Sequence, residues 1–290
     1  QGVDDLKKRV VRMIGDPSTR YREDPVRMLR AVRFAVKLNG TIDAASKEPL
    51  LSMAGLITNV PSSRLFDEML KLLTCGHAMD CLQQLRQDSL HHGMLPLLDV
   101  VLEQPGGEEF IELALDRTDH RVRSGKTVSP SFLFAALLWQ EVDLQWKTLI
   151  KQGQTGIPAL MQAADAVLEK QTKTLAIQKR FSSDMREIWF MQPRFDKRLP
   201  KSIWRMLEQP RFRAAVDFLQ LRAAAGQFDS VLAQWWMDLA NADDDSRATM
   251  LEDLSKLPRE GSGAGPRART RKRRTGPPRV PVDHTNVPTV

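Results

Sequence analysis

The stretch Thr19–Leu38, "TRYREDPVRMLRAVRFAVKL", sets Arg20, Arg22, Arg27, Arg30, Arg33 and Lys37 against one acidic pair, Glu23 and Asp24. Asp24 followed by Pro25 is a helix-start signal, with Asp as N-cap and Pro at the first helical position. The spacing predicts a helix from about Pro25 to Leu38. At about 100° per residue, Val26, Leu29, Val32 and Val36 form an apolar stripe, and Arg27, Arg30, Arg33 and Lys37 share an adjoining arc. A solvated helix face usually interleaves acids three or four positions away, yet no acid follows Asp24 until Asp43. This cationic face is therefore expected to meet an anion.

The same three-and-four spacing recurs in "SRLFDEMLKLLTC", "AMDCLQQLRQ", "GEEFIELALDRT", "IPALMQAADAVLEKQTKTLA", "SSDMREIWFMQ", "KSIWRMLEQ" and "PRFRAAVDFLQLRAAA", with Gly or Pro between them. Alternating apolar and polar runs are scarce. The expected fold is all-α: a multi-helix array of about ten or more helices joined by short turns, with no fixed-period repeat and without the strands of a nucleotide-binding α/β unit. The 42% apolar content suffices for a sizeable core. The longest apolar run, "FLFAALLW" from Phe132 to Trp139, is far shorter than the roughly 20 residues of a membrane span. The opening shows no charged-then-apolar export signal, so a cytoplasmic location is expected. Beginning at Gln1, the chain reads as a piece of a longer protein. Cys75 and Cys81, six positions apart, match neither a CxxC pair nor a disulfide framework and read as reduced structural thiols.

Charge is unevenly spread. Of the formal net charge of +7, residues 259–290 carry +6, in a Gly-, Pro- and Ser-containing tail with a basic cluster at Arg271, Lys272, Arg273 and Arg274. Such a segment has too little apolar surface to offset the entropy of ordering, so disorder is expected. A flexible polycation attracts phosphate backbones through counterion release.

Within the opening stretch, Asp24 and Arg27 lie three residues apart and project to one side, so a carboxylate acceptor and a guanidinium donor can address one flat ligand edge. That pair complements adenine, with its amino donor beside the N1 acceptor, and equally cytosine. Guanine and uracil present the reverse order and would mismatch it. The plainer alternative is that Asp24 only caps the helix and Arg27 only pairs with Glu23 or Asp24.

The segment "IGDPSTRYREDPVRMLRAVRFAVKL" closely resembles the neck-helix signature of the class II nucleotidyltransferases, the bacterial poly(A) polymerases and CCA-adding tRNA enzymes. In that family a Glu-Asp-x-x-Arg motif selects the incoming base, and it falls here on Glu23, Asp24 and Arg27. "PSSRLFDEMLKLL", "SPSFLFAALLW", "AIQKRFSSDMREIW", "WRMLEQPRFRAAVDFLQLRA" and the arginine-rich tail resemble the poly(A) polymerase branch. The resemblance implies a division into the end of a head-to-neck connection (1–19), a nucleobase- and RNA-binding neck (20–90), a helical body (91–258) and the basic tail (259–290). It implies nucleobase contact at Asp24 and Arg27; the placement of charge adds expected nucleobase or ATP contact at Arg30 and Arg33, and expected RNA contact at Arg20, Arg22, Lys37, Lys179, Arg180, Arg271, Lys272, Arg273 and Arg274. The implied activity is addition of AMP from ATP to RNA 3′ ends, with Mg²⁺ held by the Asp-x-Asp pair of a catalytic head. The head's Gly-Ser, Asp-x-Asp and Arg-Arg-Asp elements do not precede the neck-like segment here, so this chain is expected to hold no metal and to perform no chemistry alone. The alternatives are a CCA-adding enzyme fragment and a stand-alone helical RNA-binding protein.

Other signals are weaker. His77, His91, His92, His120 and His284 show no metal-ligand spacing, and Gly106–Gly107 lacks the following Lys-Ser or Lys-Thr of a P-loop. The tryptophans sit among Leu and Phe at helical spacing and are expected mostly in the core. The acidic run Asp243–Asp245 reads as a solvated helix start. Lys179 and Arg180 ahead of one helix, Arg211 and Arg213 opening another, and Arg194, Lys197, Arg198 and Lys201 around Pro200 read singly as surface charges.

Overall fold

The run "FLFAALLW" lies in the central helix of the molecule. In a computed structural model that describes residues 2–91 and 107–256, Leu133 through Trp139 and Val142 are all buried. A helix apolar on every side belongs inside a protein. This helix, Pro130–Lys151, starts where Ser129 accepts from the Phe132 amide and Pro130 supplies the first turn.

Fourteen α-helices are present among the described residues. They are α1 (Gly2–Lys7), α2 (Pro17–Glu23), α3 (Val26–Lys37), α4 (Ala44–Met53), α5 (Ser62–Leu73), α6 (Ala78–Gln87) and α7 (Gly107–Arg123). The central helix is α8, followed by α9 (Gly156–Thr172), α10 (Lys179–Met191), α11 (Pro200–Leu207), α12 (Phe212–Ala224), α13 (Ser230–Asn241) and α14 (Asp244–Lys256). Helices α7, α9, α10 and α12 pack around α8. The expected all-α array is borne out, and Gln1–Ser255 forms one unit.

Two apolar clusters build the core. In the larger, Phe218 of α12 meets Trp139 edge-on with ring centroids 5.5 Å apart, and Trp189 donates its indole N–H to the Ala135 carbonyl. The smaller surrounds Trp236, which packs edge-on against Phe195 at 4.9 Å and donates to the Phe195 carbonyl. Helix α12 feeds both, through Phe218 and Leu221 on one side and Phe212, Val216 and Leu219 on the other. As expected, Trp139, Trp189 and Trp236 are core; Trp204 departs from that pattern and is 48% exposed.

The only strands among the described residues are two-residue pieces, β1 (Val10–Val11) and β2 (Thr41–Ile42), paired in parallel. They tie the segment before α2 to the end of α3, and Arg12 reinforces the tie by bonding Asp5 and Asp43. Below them Tyr21 is fully buried, its hydroxyl donates to the Ser46 carbonyl at 2.8 Å, and burial pushes its pKa up to about 12. Gly40 allows the close crossing: a Cβ there would overlap the Arg9 carbonyl, which accepts from the Thr41 amide. Gly40→Ala is expected to lower stability by about 2 kcal/mol through this overlap. A thermal unfolding midpoint equal to that of the unaltered protein would count against it.

Three local expectations need correction. Helix α2 was not anticipated, although Asp16–Pro17 carries the same start signal as Asp24–Pro25. Asp16 is a true cap, accepting from the Thr19 amide at 2.7 Å. Asp24 is not: α3 begins at Val26 with no side-chain cap, and the extended backbone of Asp24 turns its carboxylate toward Arg64 of α5. A charged partner outcompetes the nearby amides for that carboxylate. Lys179 and Arg180 are the first two residues of α10 rather than its approach. The run at Asp243–Asp245 behaves as expected, with Asp243 accepting from the Ser246 amide.

Candidate functional site

The site is built on the break between α2 and α3 and on the face of α5 opposite it. Pro25 has no amide hydrogen, so α2 cannot run on into α3. The chain turns instead, with the Arg27 amide donating to the Asp24 carbonyl and the Met28 amide to the Pro25 carbonyl. The turn leaves Asp24 and Arg27 adjacent and partly exposed, at 17% and 27% of their side chains.

Both are held from behind. Arg27 donates through Nη1 to Glu23 Oε2 at 2.9 Å and to the Arg20 carbonyl at 3.1 Å, and Arg20 grips the same Glu23 oxygen at 2.8 Å. The Arg27 hydrogen bond, aided by Arg20, holds the Glu23 carboxyl below its ordinary range. Arg64 Nη2 reaches both Asp24 oxygens, at 3.0 and 3.1 Å. The arrangement leaves a carboxylate and a guanidinium three residues apart at the helix break, each held by a charge of the opposite sign.

Further along α3, the cationic face does meet an anion, and it comes from another helix. Glu68 of α5 is buried, and its Oε1 accepts from Arg30 Nη2 and Lys71 Nζ, both at 2.9 Å, while Arg33 Nη2 stands 4.0 Å from Oε2. Burial raises the Glu68 pKa, but the bonds from Arg30 and Lys71 outweigh it and leave the carboxyl below its ordinary value. The Arg33 guanidinium also lies over the Phe34 ring at 4.6 Å, with its Nε buried and unpartnered. The anion met by Arg30 and Arg33 is thus internal. Arg30 nonetheless keeps 40% of its side chain exposed.

The other sequence candidates scatter. Arg22 and Lys37 are exposed on α2 and α3. Lys179 and Arg180 are exposed on α10, with Arg180 over the Phe181 ring. Arg271, Lys272, Arg273 and Arg274 lie outside the described residues, as do His92 and His284. Arg211 pairs with Asp184, and Arg213 with Asn241 and Asp217. The residues that sequence reasoning missed are Arg64, Glu68 and Lys71. Glu68 carried a readable signal: it falls on the apolar phase of α5, among Leu65, Met69 and Leu72, where an acid requires a cation. Cys75 and Cys81 are both free, with sulfurs 3.5 Å apart, and the bond from Cys81 brings the Cys75 thiol down to about 7.

No three His, Cys, Asp or Glu side chains gather for a metal among the described residues, and none of the helices there is long and apolar enough to cross a membrane. The residues at the α2–α3 break and on α5 do not fit a Mg²⁺ pair, since Asp24, Glu23 and Glu68 are each taken up by guanidinium or ammonium groups.

A family model described as the arginine-rich C-terminus of polymerase A matches residues 152–276, and one described as a probable RNA- and SrmB-binding site of polymerase A matches residues 40–102. Poly(A) polymerase I of Salmonella typhi is 39% identical over 284 residues, covering 96% of this chain. The chain carries the RNA-binding and arginine-rich C-terminal regions of poly(A) polymerases. It spans 60% of the length of that relative, and 58% of the poly(A) polymerase I of Haemophilus influenzae, which is 36% identical over 264 residues. Shorter or more distant likenesses are also found. A CCA-adding enzyme of Levilactobacillus brevis is 47% identical over 73 residues, 25% of this chain and 18% of that enzyme. A solved tRNA-processing enzyme with CTP shares the fold, with a TM-score of 0.55 at 16% identity, over 87% of this chain and 65% of that one.

Proposed function

We propose that this chain is the base-selecting and RNA-holding portion of a cytoplasmic poly(A) polymerase that adds AMP from ATP to RNA 3′ ends. The observation that carries the reading is the Asp24–Arg27 pair, exposed at a helix break and held in place by Arg64 and Glu23. Asp24 accepts from the adenine amino group while Arg27 donates to N1, and Arg64 keeps Asp24 aimed. Arg30 and Arg33, through Glu68, lock α3 against α5 and so fix the position of the pair relative to α5, and the exposed edge of Arg30 is left for phosphate. Mg²⁺ would supply activation of the 3′ hydroxyl and stabilisation of pyrophosphate. No step of that kind is assigned to residues of this chain.

The test is the nucleotide that the intact polymerase incorporates once Asp24 or Arg27 is replaced. Lost preference for ATP supports the reading, and an unchanged preference overturns it. Because the pair complements cytosine as well, and the neck-sized match to a CCA-adding enzyme favours that relation, incorporation of CTP followed by ATP on tRNA is the outcome that would select the second reading.

RNA holding has its own test in the basic tail, whose residues 259–290 carry +6. Each phosphate neutralised on a single strand contributes about −0.7 to the slope of log affinity against log salt. Removing residues 259–290 is expected to flatten that slope by about 3 or more. A slope identical to that of the full chain would remove the tail from RNA binding.

A further inference from the structure

Helix α11, Pro200–Leu207, turns Ile203 and Met206 into the smaller core cluster. Its outer face carries Lys201, Trp204 and Arg205, all exposed. Trp204 is 48% exposed, in contrast to the buried Trp139, Trp189 and Trp236, and its indole N–H has no acceptor among the described residues. Leu199, at the start of the helix, is 59% exposed, and the turn before it adds exposed Lys197 and Arg198. The Arg198 guanidinium lies over the Trp235 ring at 5.4 Å. Residues 194–208 contain five basic and two acidic side chains, and none of Lys197, Lys201 and Arg205 enters an ion pair among the described residues.

A large indole left about half in water is a cost that the fold itself does not require, since Ile203 and Met206 already fill the core side of α11. Single-stranded nucleic acid is the partner whose chemistry answers the whole face: a base stacks on the ring, and cations on either side take the phosphates. A membrane-lying helix would present a broad apolar band, whereas this helix exposes one indole together with Lys201 and Arg205, and Leu199 only at its start.

We propose that the outer face of α11 is a single-stranded RNA contact in which Trp204 stacks on a base while Lys201 and Arg205 hold the adjoining phosphates. The inference rests on the RNA-binding reading above and adds to it a site apart from the residues of α3 and α5.

The test uses the full chain and oligoadenylate, read by fluorescence anisotropy across a salt series. Trp204→Ala is expected to weaken binding about tenfold without changing the salt slope, because stacking releases no counterions. Trp204→Phe should recover most of the loss. Replacing Lys201 and Arg205 with alanine should flatten the slope by about 1.4, two phosphates' worth. Trp204 is on the surface, so the thermal midpoint should not move, and this is checked for each variant. If the unaltered chain does not bind oligoadenylate, the RNA-binding reading fails and this site fails with it. If it binds and Trp204→Ala binds equally well, only this site is overturned. Loss of sedimentation with anionic phosphatidylserine vesicles in Trp204→Ala, with RNA affinity unchanged, would also overturn it, in favour of a lipid surface.

Discussion

Replacing Arg30 and Lys71 together with methionine should lower the stability of the protein by about 3 kcal/mol at neutral pH. The reason is the buried Glu68 carboxylate, which takes its hydrogen bonds from these two residues and has only Arg33, at 4.0 Å, in reserve. Stripping the partners from a buried charge costs about 3–5 kcal/mol, and the lower figure applies because both cations are partly hydrated to begin with. For a chain of this size the midpoint should fall by roughly 6–12 °C.

The pH dependence of that loss has a definite sign. In the unaltered protein the folded Glu68 pKa lies below its ordinary value of 4.5, so its contribution is complete above that value and is lost as pH falls through the folded pKa. In the double variant burial acts unopposed by Arg30 and Lys71 and raises the pKa. The variant's deficit should therefore shrink as the solution is acidified and Glu68 takes up a proton. Adding Glu68→Leu to the double variant should restore most of the lost stability, since a well-packed apolar side chain can replace a buried ion pair. Calorimetry of the three proteins between pH 4 and pH 8 measures all of this. A double variant as stable as the parent at pH 7 would show that Glu68 finds other partners and that the α3–α5 lock is not electrostatic.

In the intact polymerase, Asp24→Asn should reduce the preference for ATP over GTP and UTP by roughly 5- to 150-fold, the discrimination expected from a bidentate base contact of about 1–3 kcal/mol. Asparagine matches the size of aspartate but offers an amide donor and no charge, so one face of it repels the adenine amino group. The stability change should be small, within about 1 kcal/mol, because what is lost is a partly exposed ion pair with Arg64 and no helix cap. Arg64→Ala breaks the same pair while leaving the Asp24 carboxylate in place, and should keep selectivity within a few-fold of the parent. Incorporation of the four nucleotides by each variant, with a parallel unfolding curve, separates the outcomes. If Asp24→Asn retains the parent's discrimination, Asp24 is a structural partner of Arg64. If Arg64→Ala is as damaging as Asp24→Asn while Arg27→Ala keeps the parent's discrimination, the donor that reads the base is Arg64 rather than Arg27.

Helix content and helix phase were legible in the sequence because they are local. The stripe of Val26, Leu29 and Val32 is buried on α3 where a period of 3.6 places it, and the apolar run from Phe132 to Trp139 could only be satisfied in the middle of other helices. The adjacency of Asp24 and Arg27 is local too, set by a proline that stops α2. What those two side chains touch was not local. Arg64 lies 40 residues from Asp24 and Glu68 lies 38 from Arg30, and each meets its partner only because α5 packs across α3. Spacing along one helix cannot announce an acid that arrives from another, so the cationic face of α3 looked unpartnered when its counter-charge was already inside the molecule. The sequence alone determined which faces are apolar and where charges are concentrated. Tertiary structure decided which charges cancel, because an ion pair depends on distance in space and a helix crossing sets that distance.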